Sequence, residues 1–114
     1  MREITRIFKA LSDSNRIRIL KMLEVKPLCV CEITDVLRLA TSTVSKHLSI
    51  LREADLIADS KEGKWVIYRL NPSTENEPVN KLLPLIKQWL PDDAIINQDL
   101  KKVKVVDRNQ ICGT

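Results

Sequence analysis

This sequence predicts a mainly α-helical fold carrying one small β-hairpin, on three observations. Apolar residues recur at helical spacing in four segments before Leu56; two short β-prone runs then flank a glycine-bearing loop; and a further helical stripe runs from Val79 to Leu90. Ile4, Ile7, Phe8 and Leu11 form the stripe of the first helix. Asp13 or Ser14 caps a second, with Ile17, Ile19, Leu20 and Leu23 inward, closing before Pro27. A shorter third helix turns Ile33, Val36 and Leu37 inward and carries Cys29 and Cys31 in its first turn. Residues 38–40 read as a turn, after which Thr41 or Ser42 caps a fourth helix with Val44, Leu48 and Leu51 inward. Ile57 to Ser60 and Trp65 to Leu70 pair across the loop Lys61-Glu62-Gly63-Lys64. Residues 71–77 form a polar connector, and Pro84 should kink the stripe that follows or mark a first turn. Pro91-Asp92-Asp93 opens one more helical segment through Val106, so that 1–106 is one domain and 107–114 a tail.

Composition narrows the function. A chain of 114 residues builds a single core. Two glycines leave no material for a phosphate-cradling loop or a dinucleotide fingerprint, and one histidine, His47, excludes paired-histidine metalloprotease motifs. Conventional hydrolase and nucleotide chemistry are therefore disfavoured, and no organic cofactor is expected. No apolar run is long enough for a membrane span or signal peptide, so a cytoplasmic protein with no membrane partner is expected. Cys29, Cys31 and Cys112 are an odd number, two of them spaced C-x-C, which suits metal binding, redox chemistry or inert burial better than a disulfide framework.

The net charge of +4 is unevenly spread. Residues 1–27 hold seven basic and three acidic side chains, and residues 38–52 hold Arg38, Lys46 and Arg52 with no acid. Basic excess thus falls on the first half, where two helices joined by a short turn precede a hairpin. That order is a winged helix-turn-helix, whose second helix enters a DNA major groove ~12 Å wide and needs short or flexible hydrogen-bonding side chains. The fourth helix supplies them in Ser42, Thr43, Ser45, Lys46, His47, Ser49 and Arg52. Hydroxyls and N–H groups at its start suit phosphates, while Lys46, His47 and Arg52 supply charge or base contacts. Lys61 and Lys64 at the hairpin tip suit the DNA backbone alongside, and either Trp65 or Tyr68 should pack on the core.

Three segments carry a family resemblance. They are Phe8-Lys9-Ala10-Leu11-Ser12-Asp13-Ser14-Asn15-Arg16-Ile17-Arg18-Ile19-Leu20, the box Leu28-Cys29-Val30-Cys31-Glu32-Ile33, and Ser42 to Arg52 followed by Gly63 to Leu70. Over residues 3–90 the chain resembles the ArsR-type winged-helix metalloregulators, and among them the arsenical-resistance repressors. The resemblance implies a homodimer that binds double-stranded operator DNA when empty and releases it when a thiophilic ion binds. The family box has a third cysteine where this chain has Thr34; no cysteine precedes Cys29, and residues 78–114 contain no histidine.

Within that reading the expected inducer is trivalent arsenic or antimony, which takes three soft thiolates in a pyramid. Residues i and i+2 of a regular helix point ~200° apart, so an ion bridging Cys29 and Cys31 is expected to unwind that turn. Thr34 cannot replace a thiolate, and a tail extending ~3.3 Å per residue lets Cys112 supply the third sulfur from either subunit; the alternative is a frayed terminus, with Cys29 and Cys31 binding the ion as a pair completed by solvent or a small-molecule thiol. The dimer contact is expected from helix one and the Val79 to Leu90 stripe, because half-sites ~34 Å apart exceed the reach of one domain. The alternatives are a winged-helix regulator sensing redox state or another thiophilic metal, and a C-x-C thiol-disulfide oxidoreductase.

Overall fold

The computed structural model describes residues 1–111. Its elements, in order, are α1 (Arg2–Leu11), α2 (Ser14–Leu23), β1 (Leu28–Cys29), α3 (Val30–Leu37), α4 (Thr41–Glu53), β2 (Ile57–Glu62), β3 (Trp65–Leu70), α5 (Glu77–Gln88), α6 (Ala94–Val105) and α7 (Arg108–Ile111). The mainly helical class with a small antiparallel sheet is as expected, with one strand more than the hairpin supplies: β1 pairs with β3 to give the order β1-β3-β2. The β1 register sets Leu28 opposite Tyr68 and Cys29 opposite Ile67.

Helix α2 lies at the centre. Ile19, Leu20, Met22 and Leu23 are buried, and so are Arg16 and Lys21. Ile17, expected inward, is only half-buried. Ile33, Val36 and Leu37 of α3 and Val44, Leu48 and Leu51 of α4 join the same core from the expected positions. Asp13 caps α2, accepting from the Asn15 N–H at 2.8 Å and the Arg16 N–H at 3.3 Å. Arg38 closes α3 in the left-handed region (φ 59°) and begins the turn to α4. The cap of α4 is Ala40 rather than Thr41 or Ser42, and it provides no side-chain bond. The hydroxyls at this helix start therefore remain available to other partners.

The hairpin is tighter than expected. Strand β2 runs on through Glu62, paired with Trp65, leaving a two-residue turn of Gly63 and Lys64. Gly63 at φ +63° supplies the left-handed residue that such turns require. Tyr68 packs against the core, while Trp65 is half-buried beneath Lys64, whose Nζ stands 4.8 Å from its ring centroid. Pro84 sits inside α5, and Asp93 caps α6 by accepting from the Ile96 N–H at 3.0 Å. Part of the expected tail is α7, which begins where Asp107 accepts from the Asn109 N–H at 2.9 Å and packs on α3.

Charged side chains tie the helices together at buried positions. Arg18 holds Asp99 of α6 through two bonds of 2.7 and 2.9 Å, with Asp99 2% exposed. Lys21 donates to the carbonyls of Ile86, Lys87 and Trp89 at 2.9 to 3.2 Å and pairs with Glu24 at 2.9 Å, closing the C-terminus of α5. An ammonium suits that end because it satisfies carbonyls left over by the helix and meets its partial negative charge. Lys21→Met keeps the stem and strips the three carbonyls of their donor, so it should lower unfolding stability by about 2 to 4 kcal/mol. Denaturant unfolding checks this; a change within about 0.5 kcal/mol, the scatter of ordinary surface substitutions, contradicts it.

Candidate nucleic-acid interface and thiol site

Alternation along α4 decides its two faces. With Val44, Leu48 and Leu51 turned inward, Ser42, Thr43, Ser45, Lys46 and Arg52 are exposed, and His47 and Ser49 are half-buried. Lys61 and Lys64 are exposed at the tip of the β2–β3 hairpin. All nine candidate DNA contacts thus lie on one helix or its following wing. Their charges are not equally available. Arg52 is paired with Asp59 of β2 at 2.9 Å, which ties recognition helix to wing, whereas Lys46 and Lys61 form no ion pair among the described residues. On the second wing strand Arg69 is engaged by Glu62. Arg16 was not among the expected site residues. Its guanidinium reaches His47 of α4 at 3.1 Å from Nδ1, and neither periodicity nor charge pattern signals a contact between residues so far apart in sequence.

The cysteine box has a different geometry from the one expected. Cys29 is the last residue of β1 and the N-cap of α3, with extended backbone (φ −90°, ψ 168°), so the divergence of two side chains on a regular helix does not apply. The Cys29 and Cys31 sulfurs stand 3.0 Å apart. The premise of the expected unwinding, two side chains diverging from one regular helix, is corrected on this ground. Glu32, 2% exposed, accepts from the Cys29 N–H at 2.9 Å, and its own N–H meets the Cys29 side chain in a thiol form of the capping box. Arg108 of α7 pairs with the same carboxylate at 3.2 Å. Cys112 lies outside the described residues, among which no cluster of three metal-ligating side chains forms.

Burial pushes the Cys29 thiol above its ordinary pKa. The Glu32 carboxylate adds to the rise, and the N–H groups of Glu32 and Cys31 reverse it only in part. A cleft of 320 Å³ opens beside the sulfurs, lined also by Val30, Thr41, Lys64, Trp65 and Val66. The two sulfurs, the start of α4 and the wing tip thus share one cavity.

A polar, basic helix presented after a short turn and flanked by a wing defines a DNA-binding winged helix-turn-helix protein. The model of bacterial regulatory proteins of the arsR family matches residues 13–59, which span α2 through the start of the wing. The arsenic resistance transcriptional regulator ArsR1 of Pseudomonas putida is 36% identical over 102 residues, 83% of this chain and 80% of that protein. The arsenical resistance operon repressor of Escherichia coli is 45% identical over 67 residues, 58% of this chain and 57% of that one. Among solved structures, reduced HlyU from Vibrio cholerae superposes with a TM-score of 0.60 at 32% identity, over 74% of this chain and 84% of that one. The chain belongs to the arsR family and is a transcriptional regulator, not an enzyme. No helix among the described residues is long and apolar enough to cross a membrane.

The Glu32 carboxylate can be neutralised without losing its acceptor, since a glutamine amide oxygen can still take the Cys29 N–H. Because a negative neighbour disfavours the thiolate, Glu32→Gln should let Cys29 ionise at lower pH. Ultraviolet thiolate absorbance, followed against pH in a Cys31→Ser, Cys112→Ser background, tests the direction. An unchanged or higher midpoint contradicts the assignment.

Proposed function

We propose that this regulator is a metalloid-responsive repressor. The empty homodimer holds operator DNA through α4 and the wing, in the cytoplasm, and releases it when trivalent arsenic or antimony binds cysteine thiolates. The observation that carries the reading is the sulfur pair 3.0 Å apart at the junction of β1 and α3. Soft thiolates select a thiophilic ion over hard cations. The names of the P. putida and E. coli relatives, which refer to arsenic resistance, support the same inducer.

The third sulfur is assigned to Cys112. Helix α7 packs on α3, and the Arg108–Glu32 pair fastens it to the carboxylate that caps Cys29. This anchoring favours closure from the chain's own subunit. The Cys29 thiol loses its proton on binding, so apparent affinity rises with pH while the raised pKa keeps Cys29 protonated.

Coupling to DNA follows the packing. Cys29 is paired with Ile67 of β3, so movement of β1 acts on the wing, and α3 packs on α4, so movement of the box acts on the reading helix. Two protomers are required because each carries one reading helix and has a radius of gyration of 13.6 Å, against half-sites ~34 Å apart. Ile4 and Phe8 of α1, with Leu85, Trp89 and Leu90 at the end of the α5 stripe, are exposed and supply the apolar contact. Val79 and Ile86 of that stripe are spent on the protomer's own core.

The test is release of a promoter duplex, read by fluorescence anisotropy, during separate titrations with arsenite, antimonite, cadmium, zinc and an oxidant. Arsenite and antimonite should release DNA, and Cys29→Ser should abolish the response. X-ray absorption without added thiols should count three sulfurs around arsenic in the wild type and two in Cys112→Ser. Release by zinc, cadmium or oxidant but not by arsenite contradicts the inducer, and three sulfurs in Cys112→Ser contradict the ligand assignment.

A further inference from the structure

Arg16 is a charged residue in the protein interior, 8% exposed, and all three nitrogens of its guanidinium make a hydrogen bond. Nε donates to the Ala10 carbonyl at 2.9 Å and one terminal nitrogen to the Lys9 carbonyl at 3.0 Å, both in the last turn of α1. Its backbone N–H is held by Asp13, the cap of its own helix. A guanidinium held by two carbonyls of the neighbouring helix has little freedom to reorient. Its remaining terminal nitrogen stands 3.1 Å from Nδ1 of His47, on the DNA-reading helix.

A guanidinium has only donors and keeps its charge. The partner nitrogen must therefore offer a lone pair, which leaves the imidazole neutral with its proton on Nε2. The opposite tautomer would set N–H against N–H, and a protonated ring would add a second positive charge at the same distance. Asp13, the carboxylate near this cluster, is already engaged by the Asn15 and Arg16 N–H groups. His47 Nε2 has no hydrogen-bond partner among the described residues, and the ring borders an open cleft of 520 Å³ with Ser42, Thr43 and Lys46.

We infer that Arg16 is a positioning residue that fixes His47 as an Nε2–H donor, so that the recognition helix selects a hydrogen-bond acceptor of DNA at this position. The acceptor is a purine N7, a guanine O6, a thymine O4 or a phosphate oxygen; an exposed amino group is rejected. The inference rests on the reading that α4 enters the groove, and adds which atom His47 presents and what sets it.

Nitrogen-15 spectra of the histidine ring in the full-length DNA-free protein test Arg16 without reference to any operator. The expected pattern is a protonated Nε2 and an unprotonated, hydrogen-bonded Nδ1. In Arg16→Lys, checked for folding by circular dichroism, the ring should move to a mixture of tautomers. An Nδ1–H tautomer in the wild type, or an unmoved spectrum in folded Arg16→Lys, overturns the inference. The recognition half is tested on a duplex that the wild type selects from a randomised library. His47→Gln, which can accept from Arg16 and still donate, should bind within about threefold of wild type, and His47→Leu should lose about tenfold or more, the scale of a lost base contact. Single 7-deazapurines, carbonyl-deleted pyrimidine and guanine analogues and methylphosphonates then separate base from phosphate, since the site whose change no longer matters in His47→Leu is the acceptor. Equal binding by His47→Leu, or the absence of any such site, overturns the proposal. Failure of the wild type to enrich any duplex would instead overturn the DNA-reading role of α4, with the tautomer still decided by the spectra.

Discussion

The antiparallel pairing of Cys29 with Ile67 is the constraint on which the site depends. It holds Cys29 extended while the next residue is already helical, so one residue ends a strand and caps a helix. That change of backbone direction brings two sulfurs at i and i+2 to 3.0 Å, where an unbroken helix would hold them ~200° apart. The same pairing bonds the cysteine box to the wing, because β3 has β1 on one edge and β2 on the other. The sulfur separation and the contact with the wing therefore share one origin.

Around this junction the interior is tied by charged groups, each at a helix end or between two helices. Arg16 links the end of α1 to α4, Lys21 closes α5, Asp99 anchors α6 through Arg18, and Glu32 joins the cap of α3 to α7. Such groups are costly to bury unless their hydrogen bonds are met. Here Arg16, Lys21 and Glu32 spend those bonds on carbonyls and N–H groups that helix termini leave over, while Arg18 and Asp99 satisfy each other. The arrangement fixes helix positions specifically, which apolar contact alone does less well, and a regulator that must hold its reading helix at one angle gains from it.

Much of this was legible in the residues. Period and caps marked α1 through α6 to within a few residues, and the inward triplet of α4 fixed which side chains face outward, because a helix with one buried stripe leaves little choice for the rest. The C-x-C box and the polar run 42–49 marked the two chemistries. What could not be read came from contacts between distant segments. Strand β1 is two residues long and has no pattern of its own, existing only because β3 offers an edge. The sulfur convergence depends on that strand, so reasoning from local helix geometry gave the opposite answer. Arg16 and Lys21 look like solvated positions of an amphipathic helix until the carbonyls of α1 and α5 are placed against them. Helix α7, at four residues, is held by its packing on α3 rather than by propensity.

In the proposed function the cysteine box and the DNA-reading face bias one equilibrium, and coupling of that kind is reciprocal. Calorimetric titration of arsenite into the protein, alone and saturated with its operator duplex, measures it most directly. Operator should weaken arsenite binding by the same factor by which arsenite weakens operator binding. Equal arsenite affinity with and without the duplex would contradict it.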